Sequence, residues 1–535
     1  MKFKLYISAM TLSALALSSC NDLELPPTNE YTDENFWSAE RAEYMVNMAY
    51  SQMYSAERMW RDEALSDNIS DTRGGDLFDI RKGVALSTLG RFADEWRDLY
   101  GGIKSCHVFL DNIDGQTLEE EYKESLKAQV RFIRAYLYLR LTSFYGDVPF
   151  FTKDISLDES SVISRTPRAE VINFIHSELD EIISILPSKD EAVKGRITKA
   201  AAAMLNARAY LYDSNWAEVE KICRKIMDGE YGKYALFPSY DGLFLVENEY
   251  NDEVILDRGY IENAITWAND FQDKIVYSIG GRCPGEIPVQ SLIDNYLMIN
   301  GSTIDEAGSG YDPNDPYINR DPRMDATVVY DGYEWNDKVK NTYINEFYNV
   351  ERIVFEGGFY HQKHEDAVVT DYIDEASNNF NRTGYGCRKY HAPQAQRDWN
   401  SGLNIIMMRY ADVLLMYAEA ALEQGKLNEA IWNETIRPIR ERAGFSTEKA
   451  LNFPTGDLRK IIRNERRSEL AIEGLRYFDI IRWKAGEEYL NQEVRGAAFT
   501  TWKDQYRFNP KRDYLWAIPA NQINLNANLT QNPGW

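Results

Sequence analysis

Apolar residues recur at intervals of three and four along most of the chain, with polar residues between them. This spacing places the apolar side chains on one face of a helix. The clearest stripe ends before Gly146 and consists of Leu126, Val130, Ile133, Leu137 and Leu141. The pattern predicts a mainly α-helical fold.

Two segments form a predicted helical hairpin. Residues 195–212, GRITKAAAAMLNARAYLY, are rich in small residues, and residues 216–229, WAEVEKICRKIMDG, follow after a short turn. A small-residue helix followed by one that opens with Trp-Ala is typical of a tetratricopeptide unit. Residues 409–436 repeat the pattern, with small residues where two helices would approach closely: Ala421, Gly425 and Ala430.

Other local signals complete the N-terminal half. Residues 36–60 and 96–112 predict helices. Thr166 as N-cap and Pro167 at the first helical position predict a helix that ends before Pro187. Residues 61–90 are rich in Gly, Asp and Ser without a period, which predicts a long loop. Long loops in compact domains are often functional.

Residues 461–483, IIRNERRSELAIEGLRYFDIIRW, are amphipathic and dense in charge. Charges three apart are neighbours on a helix surface, and Gly474 predicts a kink, a helix end or a close helix approach. Paired carboxylates can hydrolyse glycosides. Here the carboxylates lie among arginines, so we interpret the segment as an ion-paired scaffold, with these charges: Glu465, Arg466, Glu469, Glu473, Arg476 and Asp479.

The region between the helical parts has another character. Residues 237–400 are rich in Gly, Asn, Asp, Tyr and Pro, with short apolar runs such as EVILD at 253–257 and ATVVYDG at 326–332. These runs predict an irregular region with a few short strands. The C-terminal tail, rich in Asn and Pro, is expected to be loop-like.

Charge narrows the possible partners. The chain has 535 residues and a net charge of −24, with aromatics at 13%. Nucleic-acid binding needs clustered Lys and Arg, so this balance argues against it. Tyr and Trp stack on sugar faces and anchor interfaces, although many are simply buried. The 35 Tyr and 12 Trp therefore provide both core and candidate binding residues.

The N-terminus predicts export and lipid attachment. Lys2 and Lys4 precede an apolar stretch from Leu5 to Leu17, too short to cross a bilayer. Leu-Ser-Ser-Cys follows at residues 17–20 and is typical of a bacterial lipobox, so Cys20 is expected to carry the lipid. An ordinary signal peptide whose cleavage site contains Cys is the alternative. No later segment is apolar for long enough to predict a transmembrane helix.

Metal, cofactor and nucleophile signals are weak. The remaining cysteines are widely spaced, so zinc is not expected, and Cys106 and Cys223 lie in apolar helices typical of buried free thiols. His361 and His364 have no apparent third ligand. The aspartates of DPNDP and its neighbours read as a turn, because the calcium-loop pattern is absent. No GxSxG motif is present, and we predict neither a cofactor nor enzymatic activity.

Several separated blocks resemble SusD/RagB-like proteins, which are outer-membrane nutrient-binding lipoproteins of Bacteroidota. The blocks keep the order of that family and cover nearly the whole mature chain. They are VRFIRAYLYLRLTSFYGDVPF (130–150), RTPRAEVINFIHSELDEIISILP (165–187), residues 195–212, DPYINRDPRM (315–324), MRYADVLLMYAEAAL (408–422), RERAG (440–444), residues 461–483, LWAIP (515–519) and QNPGW (531–535).

This resemblance implies a helical fold in which four tetratricopeptide-like units support an irregular ligand-binding region. It also implies a lipid anchor on the outer face of the outer membrane, capture of a glycan, and delivery to a SusC-like TonB-dependent transporter. The expected division is a signal peptide (1–19), an N-terminal helical region (20–235) and a C-terminal region (236–535). The last contains the irregular part 237–400, the helical part 403–484 and the tail.

Sugar sites need flat aromatic faces with polar side chains that bond hydroxyls. The family builds such sites from loops, so we select loop residues by composition and placement. Trp267, beside the GGRCPG loop, is the first choice. The other candidates are Asp67, Asp71, Arg73 and Arg81 in the early loop, and Tyr296, Tyr333, Trp335 and Trp399 in the irregular middle.

Two other classes of function stay open. The first is an interaction protein that gates the transporter and binds ligand weakly or binds peptides. The second is a hydrolase with an unrecognised site, which would need paired carboxylates in a cleft.

Overall fold

Helices make up most of the regular structure. The computed structural model describes residues 37–72, 74–268, 274, 285–330, 333, 354–356, 359–364, 367–372, 382–391, 400–498, 500 and 502–535. Within these residues, no helix is both long enough and apolar enough to cross a membrane.

The helices of the N-terminal half include the two longest of the described residues. They are α1 (Ala39–Met53), α2 (Ala56–Glu63), α3 (Asp76–Arg81), α4 (Gly90–Ile113), α5 (Glu120–Tyr145), α6 (Leu157–Ser160), α7 (Arg168–Ile182), α8 (Lys199–Tyr212) and α9 (Trp216–Met227).

The helices that follow are mostly shorter. They are α10 (Gln290–Asn295), α11 (Pro322–Thr327), α12 (Tyr410–Glu423), α13 (Glu429–Glu434), α14 (Ile436–Ala443), α15 (Glu448–Leu451), α16 (Leu458–Glu469), α17 (Arg476–Arg482), α18 (Gly486–Tyr489) and α19 (Ala520–Leu525).

The longer helices pack one on the next in a continuous array. Helix α1 packs on α4 and α5, α5 on α7, α7 on α8, and α8 on α9. Helix α9 then packs on α12, and α12 packs on α16. These contacts join the N-terminal helices α1–α9 to the C-terminal helices. The predicted mainly α-helical fold with tetratricopeptide-like hairpins is confirmed.

Short antiparallel strands link the loops. They are β1 (Ile69–Asp71), β2 (Val148–Pro149), β3 (Arg165–Thr166), β4 (Val254–Arg258), β5 (Trp267–Ala268), β6 (Glu286–Pro288), β7 (Val328–Val329), β8 (Val354–Glu356), β9 (Phe359–His364), β10 (Ala367–Tyr372), β11 (Gly386–Cys387), β12 (Asn400–Ser401), β13 (Ile405–Arg409), β14 (Glu493–Arg495) and β15 (Lys503–Gln505). The pairs are β1–β6, β2–β3, β4–β13, β5–β12, β7–β11 and β14–β15, and β9 lies between β8 and β10.

Some local predictions were wrong. The helix predicted over residues 36–60 is broken, because Ser55 accepts a hydrogen bond from the Arg58 backbone N–H and starts α2. Helix α7 begins at Arg168, whose N–H donates to Asp147 Oδ1 at 2.8 Å, so Thr166 is not its cap. The predicted loop at 61–90 contains β1 and α3.

Residues 461–483 do not form one helix. Helix α16 ends at Glu469, and α17 starts at Arg476. Between them Gly474 has a φ of +74°, and a Cβ there would lie 3.1 Å from the Met59 carbonyl oxygen. The predicted interruption at Gly474 is therefore a close approach to α2.

The main core joins the N-terminal helices to the C-terminal tail. The ring centroids of Phe144 and Trp516 lie 4.0 Å apart, and the Trp516 backbone N–H donates to the Phe144 carbonyl at 2.7 Å. The tail is therefore held by packing, although much of it lacks regular structure. Cys106 and Cys223 are buried free thiols, as predicted.

The charges of residues 461–483 are buried rather than exposed. Arg409, 1% exposed, donates from Nη1 to Glu253 Oε1 at 2.7 Å and to Glu469 Oε1 at 2.6 Å. Its Nε donates to Glu473 Oε2 at 2.9 Å. Burial would raise the pKa of Glu469, but Arg442, Arg409 and Arg323 outweigh it and hold that pKa below its usual range. The segment is an ion-paired scaffold whose partners mostly come from elsewhere in the chain.

Replacing Arg409 by Met should lower the free energy of unfolding by about 3–5 kcal/mol. The change removes one cationic partner from three buried carboxylates, Glu253, Glu469 and Glu473. Urea unfolding monitored by circular dichroism measures the effect. The control is Arg437→Met, which removes an exposed pair with Glu441 and should change stability by less than about 1 kcal/mol. Equal, small effects in both variants would contradict the central role of the network.

Asp257 in β4 is a buried carboxyl that faces no cation within 4.0 Å in the described residues. Burial raises its pKa from 3.8 to about 7, although Asn404 Nδ2 donates to its Oδ2 at 2.8 Å. The folded protein therefore holds a proton that the unfolded chain releases near pH 4. The contribution of the Asp257 carboxyl to the free energy of unfolding is largest below pH 4. It falls from pH 4 to 7 and is fully lost above pH 7.

Asp257→Asn should remove this pH dependence. Relative to the parent, the variant should gain up to about 4 kcal/mol in unfolding free energy between pH 4 and pH 8. Urea midpoints across this range measure the gain. Asp252→Asn, at an exposed neighbouring position, is the control and should follow the parent. An Asp257→Asn variant whose stability relative to the parent is lowest at pH 8 would contradict the raised pKa of Asp257.

Candidate functional site

Two predicted site aromatics lie in the core. Trp267 is 4% exposed, and its Nε1–H donates to the Leu403 carbonyl at 2.9 Å. Tyr296 is fully buried, among α10 and α11 residues that include Leu292 and Met324. Neither ring has a solvent-facing side on which a sugar could stack, so the structure gives both of them a packing role.

The early-loop candidates are also structural. Asp67 is 1% exposed and accepts from Arg476 Nε at 2.8 Å. Burial would raise the pKa of Asp67, but Arg467 and Arg476 lower it overall. Arg81, 4% exposed, donates to the backbone carbonyls of Ala64 and Asp71. Asp67 thus fastens the early segment to α17, whereas Arg81 ties parts of the early segment together. The half-buried Asp71 lies at the end of β1.

Four predicted residues lie outside the described residues: Cys20, Arg73, Trp335 and Trp399. Their assignments stay predictions.

Tyr333, the remaining candidate, belongs to a group of tyrosines that we call the tyrosine cluster: Tyr317, Tyr330, Tyr333 and Tyr385. The Tyr317 and Tyr330 rings stack with centroids 4.2 Å apart and an angle of 25°. Tyr333 meets Tyr330 edge-on at 5.3 Å, and Tyr385 meets Tyr317 edge-on at 6.5 Å. Tyr385 is buried, whereas the other three rings are half-buried and reach the surface.

Local structure explains why these rings meet. Strand β7 pairs with β11, with Val329 opposite Gly386. Tyr330 follows β7 and Tyr385 precedes β11, so the antiparallel register brings the two positions side by side. Tyr385 is also held by α10, because its hydroxyl donates to Gln290 Oε1 at 2.5 Å.

Polar groups border the cluster. The Tyr330 hydroxyl donates to Asp325 Oδ1 at 2.6 Å, and the Tyr333 hydroxyl donates to the Asp325 carbonyl at 2.8 Å. Arg388 lies near Tyr333 and is paired with Asp241 at 3.0 Å. Partial desolvation raises the pKa of Asp325, although the Tyr330 bond opposes the shift. Burial and then Asp325 raise the pKa of Tyr330, so its hydroxyl keeps its proton.

The arrangement suits recognition of a neutral polyhydroxyl ligand. Aromatic faces accept the apolar faces of such a ligand, and the carboxylate and hydroxyl groups at the rim can bond its hydroxyls. Of this group, Tyr333 was selected from the sequence, whereas Tyr317, Tyr330, Tyr385 and Asp325 were not. The recurrence of Tyr and Asp through residues 311–333 was the available signal.

Asp312 and Asp321 have local partners. Among the described residues, no group of three His, Cys, Asp or Glu side chains could hold a metal ion. Asp312 accepts the Asn314 N–H at 2.9 Å in the predicted turn, and Asp321 pairs with Arg323 at 2.7 Å. The backbones of His361 and His364 lie in β9.

The packed helical hairpins define the fold class as a tetratricopeptide-like helical repeat protein. The sequence profile of the SusD family matches residues 252–535, and a family described as starch-binding and associating with the outer membrane matches residues 24–211. The chain belongs to the SusD family, which confirms the resemblance.

Relatives and solved structures agree with this assignment. SusD-like protein P25 of Formosa agariphila is 27% identical over 469 residues, covering 82% of this chain and 78% of its own. The starch-binding protein SusD of Bacteroides thetaiotaomicron is 24% identical over 475 residues, covering 81% and 76%. A SusD-like carbohydrate-binding protein of Bacteroides fragilis superposes with a TM-score of 0.78 at 27% identity, covering 92% of this chain and 99% of its own.

Trp267→Ala should act on stability. Removing a buried Trp should lower the free energy of unfolding by about 3–5 kcal/mol, as measured by urea unfolding without ligand. Tyr44→Ala removes a 59% exposed ring and should change it by less than about 0.5 kcal/mol. A fully stable Trp267→Ala protein would restore Trp267 as a ligand candidate.

Proposed function

We propose that this protein is a cell-surface glycan-binding lipoprotein that captures an oligosaccharide or polysaccharide and delivers it to a SusC-like TonB-dependent transporter. The observation that carries the proposal is the tyrosine cluster, where stacked, half-buried rings lie beside Asp325 and near Arg388. Membership of the SusD family and the carbohydrate-binding names of relatives support the same class of ligand.

The location follows from the N-terminal sequence and the family. Cys20 ends a lipobox-like signal, and one matching family is described as associating with the outer membrane. We propose that a lipid on Cys20 anchors the mature chain to the outer membrane, facing the cell exterior. The helical array is then free to contact the transporter while the loops hold the glycan.

We propose a binding role without catalysis. The carboxylates of residues 461–483 that a hydrolase would need are occupied. Glu465 accepts from Arg323 and Arg440, both at 2.7 Å, and is fully buried. Glu469 and Glu473 share Arg409. A carboxylate held ionised by buried arginines cannot act as a general acid at neutral pH.

Tyr330→Ala should weaken glycan binding about tenfold, because it removes one aromatic face of the cluster. The protein starts at Cys20→Ala to avoid lipidation and is titrated calorimetrically against plant, microbial and host polysaccharides. Tyr44→Ala is the matched control, since Tyr44 is exposed on α1 and bonds Glu40. It should bind like the parent.

Three results would redirect the proposal. Equal binding by the parent and Tyr330→Ala would move the glycan away from the tyrosine cluster. No binding across the panel, with transporter assembly retained, would favour the transporter-gating protein with weak or peptide-directed ligand binding. Glycan cleavage by the purified protein would instead favour a hydrolase.

A further inference from the structure

A surface cleft, separate from the tyrosine cluster, lies between the α1–α2 junction and α4. It encloses about 430 Å³ and is lined by the side chains of four arginines. Such a concentration of guanidinium groups is unexpected in a chain with a net charge of −24. We call this site the arginine cleft and define it by Arg58, Arg61, Arg91 and Arg97.

Two carboxylates lie beneath the arginine cleft. Glu95 Oε1 accepts from Arg140 Nε at 2.5 Å and lies 3.9 Å from Arg58 Nε, and Glu95 Oε2 lies 2.9 Å from Arg91 Nη2. Asp62 is the other carboxylate of this group and bonds Arg140 twice. Three guanidinium groups therefore share two carboxylates beneath the cleft.

Arg91 joins this buried group to the cleft. Its side chain is 6% exposed, and its Nε and Nη2 make no hydrogen bond within the described residues. The 2.9 Å ion pair thus places the Glu95 charge beside Arg91, but its geometry is not that of a hydrogen bond. A buried guanidinium with unused donors is costly unless a further acceptor is supplied.

The rim adds charge of both signs. Arg61 pairs with Glu57 at 2.6 Å, and Arg97 pairs with Asp94 and Asp98 at 2.7 and 2.9 Å. Four arginines and two carboxylates, Glu57 and Asp98, line the cleft. The N-terminus of α2, capped by Ser55, also opens here and favours negative charge.

We propose that the arginine cleft binds an oxyanion, namely a carboxylate, sulfate or phosphate group carried by a sugar or free in solution. The planar fork of a guanidinium matches two oxygens of such a group. The bound anion adds negative charge beside the Arg58–Arg91–Arg140 group, in which three guanidinium groups share two carboxylates. The site is separate from the tyrosine cluster, and it does not rest on glycan capture there.

The first experiment titrates inorganic sulfate into the purified Cys20→Ala protein by calorimetry. The added sulfate replaces chloride, so that the ionic strength stays constant. Saturable binding is expected, and Arg91→Gln should weaken it at least tenfold. Because Arg91 is buried, the double variant Arg58→Gln with Arg61→Gln provides a second test and should show the same loss.

Arg437→Gln is the matched control. Arg437 pairs with Glu441 four residues away at 2.8 Å, as Arg61 pairs with Glu57, but it lies outside the cleft. It should bind sulfate like the parent. Sulfate binding no stronger than that of chloride, or unchanged in the Arg58/Arg61 double variant, would overturn the proposal.

Two sugars identify the source of the anion. Glucuronate binding more tightly than sulfate would show that the oxyanion is carried by a sugar, whereas tighter sulfate binding would show a free anion. Glucose binding as tightly as glucuronate would overturn the proposal. Neutral-glycan binding at the tyrosine cluster is measured separately, so failure of either site is recognised independently of the other.

Discussion

The fold depends on a group of buried charges that only distant parts of the chain can neutralise together. Glu469, at the end of α16, accepts from Arg323 and Arg409 and also pairs with Arg442. A buried carboxylate that loses its partner destabilises the folded state strongly. The irregular middle, the repeat helices and residues 461–483 must therefore assemble in one arrangement, because other arrangements leave charges unpaired.

The same network places the candidate site. Arg323 belongs to α11 and is held by Asp321, Glu465 and Glu469. Tyr330 follows α11 through the two residues of β7, so fixing Arg323 fixes the approach to the tyrosine cluster. At the other end, Glu63 accepts the backbone N–H groups of Ile472 and Gly474, which ties α2 to the turn before α17. The loops therefore rest on helices that are held by the Arg323 ion pairs at one end and by the Glu63 hydrogen bonds at the other.

Most of the candidate site was not predictable from residue type and loop position. Trp267 and Tyr333 were both selected as loop residues, yet Trp267 is buried and bonds the Leu403 carbonyl, whereas Tyr333 reaches the surface. The difference arises from strand pairing between segments more than a hundred residues apart. Asp67 had a local context typical of a loop, but two arginines some four hundred residues later make it part of the scaffold.

The sequence by itself determined the helical class of the fold and the repeat hairpins, because these depend on spacings within a few turns of chain, and its motifs indicated the family. It also indicated that residues 461–483 are ion-paired. Only the tertiary structure decided the partners: Glu473 bonds Arg409 and Lys389 rather than the neighbouring Arg476. Local spacing sets which side chains share a helix face, whereas burial and pairing depend on what packs against that face. The tyrosine cluster and the arginine cleft both belong to this second kind of information.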